Sequence, residues 1–156
     1  TPTLWETGNP ELKSTLNHRI GLNFYYNKFI LQSLFTMNRR NVASVYHNDN
    51  TNHINVENPV NLPDYSSLQL VAVQQLDFGC WHPTIQGVFY IQNLKYGTPK
   101  RKYHKPLYTL SFNNRFDIPG GFYAYLNVFC LGTGNQDVVY SRGTWQASMM
   151  LNKTWV

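Results

Sequence analysis

The chain has 156 residues, of which 42% are hydrophobic, 15% aromatic and 13% charged. This composition excludes a disordered chain and predicts one folded domain over residues 1–156. No apolar run approaches the about 18 residues of a membrane-spanning helix, and the first residues show neither an initiating Met nor a signal-peptide pattern, which predicts a fragment from the C-terminal end of a longer protein. The net charge of +5 permits acidic partners without indicating one.

In the first third of the chain, short runs with an apolar residue at every second position indicate β-strands. Residues 16–26 carry apolar side chains on one face and Asn17, Arg19 and Asn23 on the other. Asn27 and Lys28 form a predicted tight turn. Residues 29–37 then return with apolar groups on both faces, which is typical of an inner strand. The two runs predict a hairpin.

The rest of the chain continues this pattern. Residues 42–46 predict a short strand, and the Asn-rich residues 47–61 predict long loops. A predicted turn at 132–135 precedes the last strand. The remaining predicted strands lie at 68–73, 88–91, 106–112, 122–130 and 145–151. About eight to ten short strands predict an all-β, antiparallel β-sandwich.

No motif for catalysis or metal binding is present in the sequence. The carboxylates are dispersed, and convergence of two of them in space is left open. There is no nucleophile, phosphate-binding or dinucleotide motif, and the spacing of the histidines is unlike that of metal ligands. We therefore predict no enzyme, no metal site and no cofactor. Cys80 and Cys130 are predicted to be free, mostly buried thiols, although one disulfide remains possible.

The densest charge cluster lies in residues 95–105, and most of its positive charges lie between Pro99 and Pro106. Its positive charges can hold an anion, and its tyrosines offer faces for a sugar ring. The alternative is a solvated loop. Because no nucleic-acid motif accompanies the cluster, we expect no nucleic-acid binding. The candidates for an anionic-glycan site are Lys100, Arg101, Lys102, Tyr103 and His104.

Thr3-Leu4-Trp5 resembles the Thr-Leu-Trp-Thr signature at the shaft-to-head junction of adenovirus fibres, with Glu6 in place of the final Thr. Residues 41–45, 105–113 and 122–129 are similar, in order and pattern, to later strands of the fibre head. The C-terminal residues 151–156 depart from the usual aromatic-rich ending. On these segments the chain resembles a divergent fibre head, hypothetically from an avian or reptilian virus.

The resemblance implies a homotrimeric β-sandwich on the virion surface, assembled inside the host cell in the nucleus, which attaches the virus to a host receptor protein or sialylated glycan. It implies no membrane insertion. By position, the receptor contact falls on residues 7–13, with Asn9, Pro10, Glu11 and Lys13 as candidates. The alternative is a monomeric, lectin-like carbohydrate-binding module of another viral or phage spike.

Overall fold

In the computed structural model, residues 4–6, 8–49 and 54–154 are described, and their regular secondary structure is entirely β. The predicted all-β class is confirmed. Within these ranges, no helix has the length and hydropathy that crossing a membrane requires. The strands are β1 (Leu4–Glu6), β2 (Leu16–Tyr26), β3 (Phe29–Arg39), β4 (Val42–Asp49), β5 (Ile54–Asn61), β6 (Tyr65–Gln75), β7 (Trp81–Gln92), β8 (Leu94–Tyr96), β9 (Arg101–Tyr103), β10 (Leu107–Ile118), β11 (Phe122–Gln136) and β12 (Val139–Lys153).

Seven long strands form one antiparallel sheet in the order β12-β11-β10-β7-β6-β3-β2. Two small sheets accompany it, β1-β5-β4 and β8-β9. The antiparallel pairing was predicted, but the two-sheet sandwich was not found, because all seven long strands lie in a single sheet. The sheet is open: in the described part of the chain, β2 and β12 each pair on one side only.

The sheet has one apolar and one polar face, because side chains alternate along each strand and directly opposite residues share a face. One cross-strand row reads Ile85–Phe112–Val128, and the next row on the other face reads Thr84–Asn113–Asn127. The polar face is interrupted by apolar residues, including Val71, Val73 and Val88. The apolar face includes Leu16, Ile20, Leu22, Phe24, Leu31, Phe35, Leu68, Leu70, Ile85, Phe89, Leu110, Phe112, Leu126, Val128, Met149 and Leu151.

The two ends of the sheet also differ. At one end, here called the short-turn end, the connections are residues 27–28, 76–80 and 119–121. At the other, the long-loop end, residues 40–64 contain the β4–β5 hairpin and residues 93–106 contain the β8–β9 hairpin. The turn between β11 and β12 is also at the long-loop end. The two hairpins therefore belong to connections at the same end of the sheet.

Two of the best-buried apolar side chains, Leu62 and Leu94, lie at the long-loop end and not between two sheet layers. Leu62, Tyr65 and Leu94 form this small core, with Leu62 and Leu94 each only 1% exposed. Tyr96 and Tyr103 of the β8–β9 hairpin pack against it. The core thus fixes the β8–β9 hairpin to the start of β6.

Two predicted connections are strands in the structure. Of the predicted loop 47–61, residues 54–61 form β5, which pairs with both β1 and β4; residues 50–53 lie outside the described residues. The predicted turn at 132–135 is inside β11. Its glycines serve close packing: a Cβ at Gly132 would collide with the Tyr108 ring, and one at Gly134 with the Pro106 carbonyl. The turn lies two residues later, where Asp137 has a positive φ of 49°.

Candidate functional site at the long-loop end

A hydrogen-bonded cluster around Asp137, here called the Asp137 network, joins the elements at the long-loop end. The Tyr65 hydroxyl donates to the Asp137 carboxylate at 2.5 Å and accepts from the Asn41 amide at 3.0 Å. The Gln92 amide accepts from the Asp137 N–H at 3.0 Å and donates to the carbonyls of Asp137 and Tyr103, at 2.7 and 3.0 Å. The network therefore fixes the β11–β12 turn and the β8–β9 hairpin to the sheet.

A polar cavity of about 340 Å³ opens beside this network on the polar face. Thr36, Asn38 and Ser67 are nearly fully buried in its lining, and Arg19 and Tyr90 also contribute. In the described part of the chain, no buried side-chain nitrogen or oxygen lacks a hydrogen-bond partner. Hydroxyl, amide and guanidinium groups can hydrogen-bond water or a polar solute. The lining of this cavity is therefore suited to contact with water.

The predicted anionic-glycan residues lie on the β8–β9 hairpin and around it. Lys100 is in its turn, Arg101 and Lys102 are exposed on β9, and His104 follows the strand. Tyr103 is half-buried against the small core, so its ring is not the open stacking surface that the sequence suggested. The sequence-based set therefore combines ligand-accessible cations with one packing residue. Anionic-glycan binding itself stays a prediction.

The predicted receptor-contact residues are in an exposed loop that is attached to β5. The Asn9 amide donates to the Pro59 carbonyl at 2.9 Å, and the Asn9 side-chain oxygen accepts from the Glu11 N–H at 3.0 Å. The Lys13 N–H donates to Asn61 at 2.7 Å. These bonds give the loop a structural role, and contact of Asn9, Pro10, Glu11 and Lys13 with a receptor stays a prediction.

A second charged cluster lies on the polar face at the short-turn end. The His82 ring is 3.1 Å from Asp77 through Nδ1 and 3.2 Å from Asp117 through Nε2. Arg115 donates to Asp117 at 2.7 Å, and Lys28 is 3.5 Å from Asp77. These partly exposed pairs connect β7, β10 and the short turns. In the described ranges, no group of three or more metal-ligating side chains is arranged to hold an ion, and the absence of catalysis stays a prediction.

Both cysteines are free thiols. Cys80 is exposed in the β6–β7 connection and Cys130 is half-buried on the apolar face, so the expected burial is wrong for Cys80. The burial was inferred from the apolar character of cysteine, which does not reveal whether a covering layer is present.

A broad antiparallel sheet with one apolar face, one polar face, short turns at one end and long loops at the other is typical of a membrane β-barrel wall. The model of an outer membrane protein beta-barrel family matches residues 1–156. The chain therefore belongs to this outer membrane β-barrel family. No curated protein and no solved structure gives a significant match.

This family membership corrects the interpretation drawn from the fibre resemblance. The chain is neither an adenovirus fibre head nor a lectin-like spike module, and the virion surface and host nucleus are wrong as its location. The resemblance began with three residues, of which Thr3 lies outside the described residues. Its remaining support was strand order and alternation. Alternation indicates that each strand has an apolar side, but does not indicate whether a second sheet or lipid covers it.

Proposed function

We propose that the seven-stranded sheet forms part of the wall of a bacterial outer-membrane β-barrel. In this arrangement the apolar face contacts lipid acyl chains, and the polar face lines a water-filled interior that polar solutes can enter. The supporting observation is the exposure of large apolar side chains on the apolar face. Leu22 is 72% exposed, Trp145 74% and Met149 75%.

Such a surface is unfavourable in water. Apolar area costs about 25 cal/mol per Å² when it is left in water, and monomeric soluble proteins rarely expose apolar patches larger than a few hundred Å². The exposed apolar residues of this face extend from β2 across β10 to β12. Lipid can cover the apolar residues of all these strands together. A partner molecule bound at a single strand would leave the others exposed.

The strands have the length and the flanking residues that a bilayer requires. The seven strands contain 11 to 15 residues each, whereas a tilted strand spans the hydrocarbon with about 9–11. At the short-turn end, the Trp81 ring stacks on Phe78 and Phe116, with centroids 5.2 and 6.2 Å away. Aromatic residues concentrate at the membrane interfaces of such barrels.

The buried amide of Asn114 also fits a membrane. Asn114 is on the apolar face but only 2% exposed. Its amide accepts from the Trp81 indole N–H and donates to the Leu126 carbonyl, both at 3.0 Å.

Unpaired edges are not tolerated in hydrocarbon, so the outer sides of β2 and β12 require further strands as partners in a closed wall.

The connections support one orientation. Outer-membrane barrels have short periplasmic turns and longer extracellular loops. We therefore propose that the long-loop end, with the Asp137 network and both hairpins, lies at the outer surface. This proposal replaces the expectation of no membrane insertion. The expected homotrimer stays a prediction, because a single chain does not test it.

Thiol labelling of the protein in intact cells tests the orientation. In a background with Cys80→Ser and Cys130→Ser, Lys100→Cys reports on the long-loop end and Lys28→Cys on the short-turn end. A membrane-impermeant maleimide should label Lys100→Cys in intact cells, but Lys28→Cys only after the outer membrane is permeabilised. Equal labelling of both sites in intact cells, or recovery of the protein outside the outer-membrane fraction, would contradict the proposal.

A further inference from the structure

The β8–β9 hairpin, residues 94–103, is an ordered part of the structure and not the solvated loop that the sequence left open. Leu94 is buried in the small core, and Tyr96 and Tyr103 pack on the same core. The Gln92 amide holds the Tyr103 carbonyl at 3.0 Å. We call this element the basic hairpin. Packing on its other side fixes the backbone positions from which its cationic side chains project.

The strand register brings two of these cations together. Lys95 pairs directly with Lys102, between the pairs Leu94–Tyr103 and Tyr96–Arg101. Directly opposite residues have Cβ atoms about 4.5–5.5 Å apart and project from the same side, and like charges at such positions destabilise the pairing. The alternation places both lysines on the side opposite Leu94, which faces the core. The fold therefore holds two lysines of like charge directly opposite each other.

No anion among the described residues compensates this pair. No described carboxylate lies within 4 Å of either ammonium group. Lys105, close in sequence, is engaged differently, with its ammonium 3.3 Å from the Tyr140 hydroxyl and 5.1 Å from the ring centroid. Lys100, in the hairpin turn, is exposed and adds a third positive charge. The pair is therefore accessible to an anionic ligand.

We propose that the Lys95–Lys102 pair binds a phosphate group at the long-loop end. Two lysines at directly opposite positions can both reach one doubly charged phosphate monoester, which they match better than a singly charged carboxylate. The phosphate can belong to a free sugar phosphate or to a phosphorylated lipid headgroup in the surrounding leaflet. The inference rests on the proposed function only in placing the basic hairpin at the outer surface.

Calorimetry on the purified, bilayer-reconstituted protein tests this site with glucose 6-phosphate as the probe, and with glucose and glucuronate as comparators. Glucose 6-phosphate should bind most tightly, and its affinity should fall at high ionic strength. Lys95→Gln and Lys102→Gln should each weaken binding about two- to fivefold, as for exposed ion pairs. Lys28→Gln, with the same charge change at the short-turn end, should leave the affinity unchanged.

Thermal unfolding separates loss of the site from loss of the hairpin. Because each Lys→Gln change relieves a like-charge contact, both variants should unfold at the same temperature as the parent or slightly higher. Failure of glucose 6-phosphate to bind, or equal binding by the parent and both variants, would overturn the proposal. Weaker binding accompanied by a lower unfolding temperature would also overturn it.

Bilayer composition distinguishes the two sources of phosphate. A lipid headgroup that occupies the site competes, so glucose 6-phosphate should bind more weakly in bilayers that contain phosphorylated glycolipid than in neutral bilayers. Equal affinity in the two bilayers assigns the site to a free sugar phosphate. Lysine-dependent binding together with a failed maleimide experiment would retain the site while refuting the proposed orientation.

Discussion

The two faces of the sheet have the same backbone and nearly opposite side chains. On β10, Leu110 and Phe112 project from one face, and Ser111 and Asn113 from the other. The charged cluster of His82, the polar cavity and the Asp137 network all lie on the polar face or at its long-loop end. Among the described residues, no such cluster lies on the apolar face, and its buried amide at Asn114 is satisfied internally. The proposed barrel accounts for this contrast, because lipid would cover one face and water the other.

The largest effect is expected when the same charge is placed on each face of one strand, which tests whether the two faces have different surroundings. Leu110→Arg puts a cation on the apolar face, where it should cost about 2–4 kcal/mol near the bilayer midplane. Asn113→Arg puts the same cation on the polar face, where water or solute can solvate it. Urea unfolding in lipid vesicles measures the difference, and equal destabilisation by the two changes would refute the assignment of the faces.

A smaller effect is expected from the buried amide of the apolar face. Asn114→Leu leaves the Trp81 indole N–H without its acceptor in an apolar setting, which should cost about 1–3 kcal/mol. The matched change on the polar face is Asn127→Leu. The Asn127 side chain makes no hydrogen bond to the described residues. Unfolding free energies compare the variants. A neutral Asn114→Leu would show that the amide does not stabilise the sheet.

The smallest effect concerns the Asp137 network. Tyr65→Phe removes the hydroxyl that joins Asn41 to Asp137, and should cost about 1 kcal/mol. Because Asp137 occupies the β11–β12 turn, amide hydrogen exchange should accelerate at that turn and at residue 103. Tyr125→Phe, on the polar face but without a hydroxyl hydrogen bond to the described residues, is the control. Unchanged exchange in Tyr65→Phe would show that the network does not hold these elements.

Sequence alternation was sufficient to predict the β2–β3 hairpin, because a period of two is visible within each strand. The strand at 54–61 and the absence of a turn at 132–135 were not predictable in this way. Pro59 and the surrounding asparagines are typical of loops, yet β5 is paired on both sides, by the adjacent strand β4 and by the distant strand β1. Gly132 and Gly134 are typical of turns, yet their small size is required by residues 106 and 108.

The candidate site could be predicted only in part, because local sequence patterns do not show contacts between different segments. The sequence shows a run of positive charge at 95–105, but the opposition of Lys95 and Lys102 depends on the register of the hairpin. The roles of Gln92 and Asp137 depend on contacts 45 residues apart. The sequence also cannot distinguish an apolar face covered by a second sheet from one covered by lipid, and this ambiguity permitted the incorrect fibre interpretation.

A spin-label scan along β12 in the protein reconstituted into lipid tests whether the apolar face contacts lipid and the polar face contacts water. Labels at positions 149 and 151 should be accessible to dissolved oxygen and protected from a water-soluble nickel chelate, whereas labels at 148, 150 and 152 should show the reverse. Met150 makes the test strict, because it is hydrophobic but lies on the polar face. Accessibility without a period of two, or oxygen-accessible labels on both faces, would contradict the account.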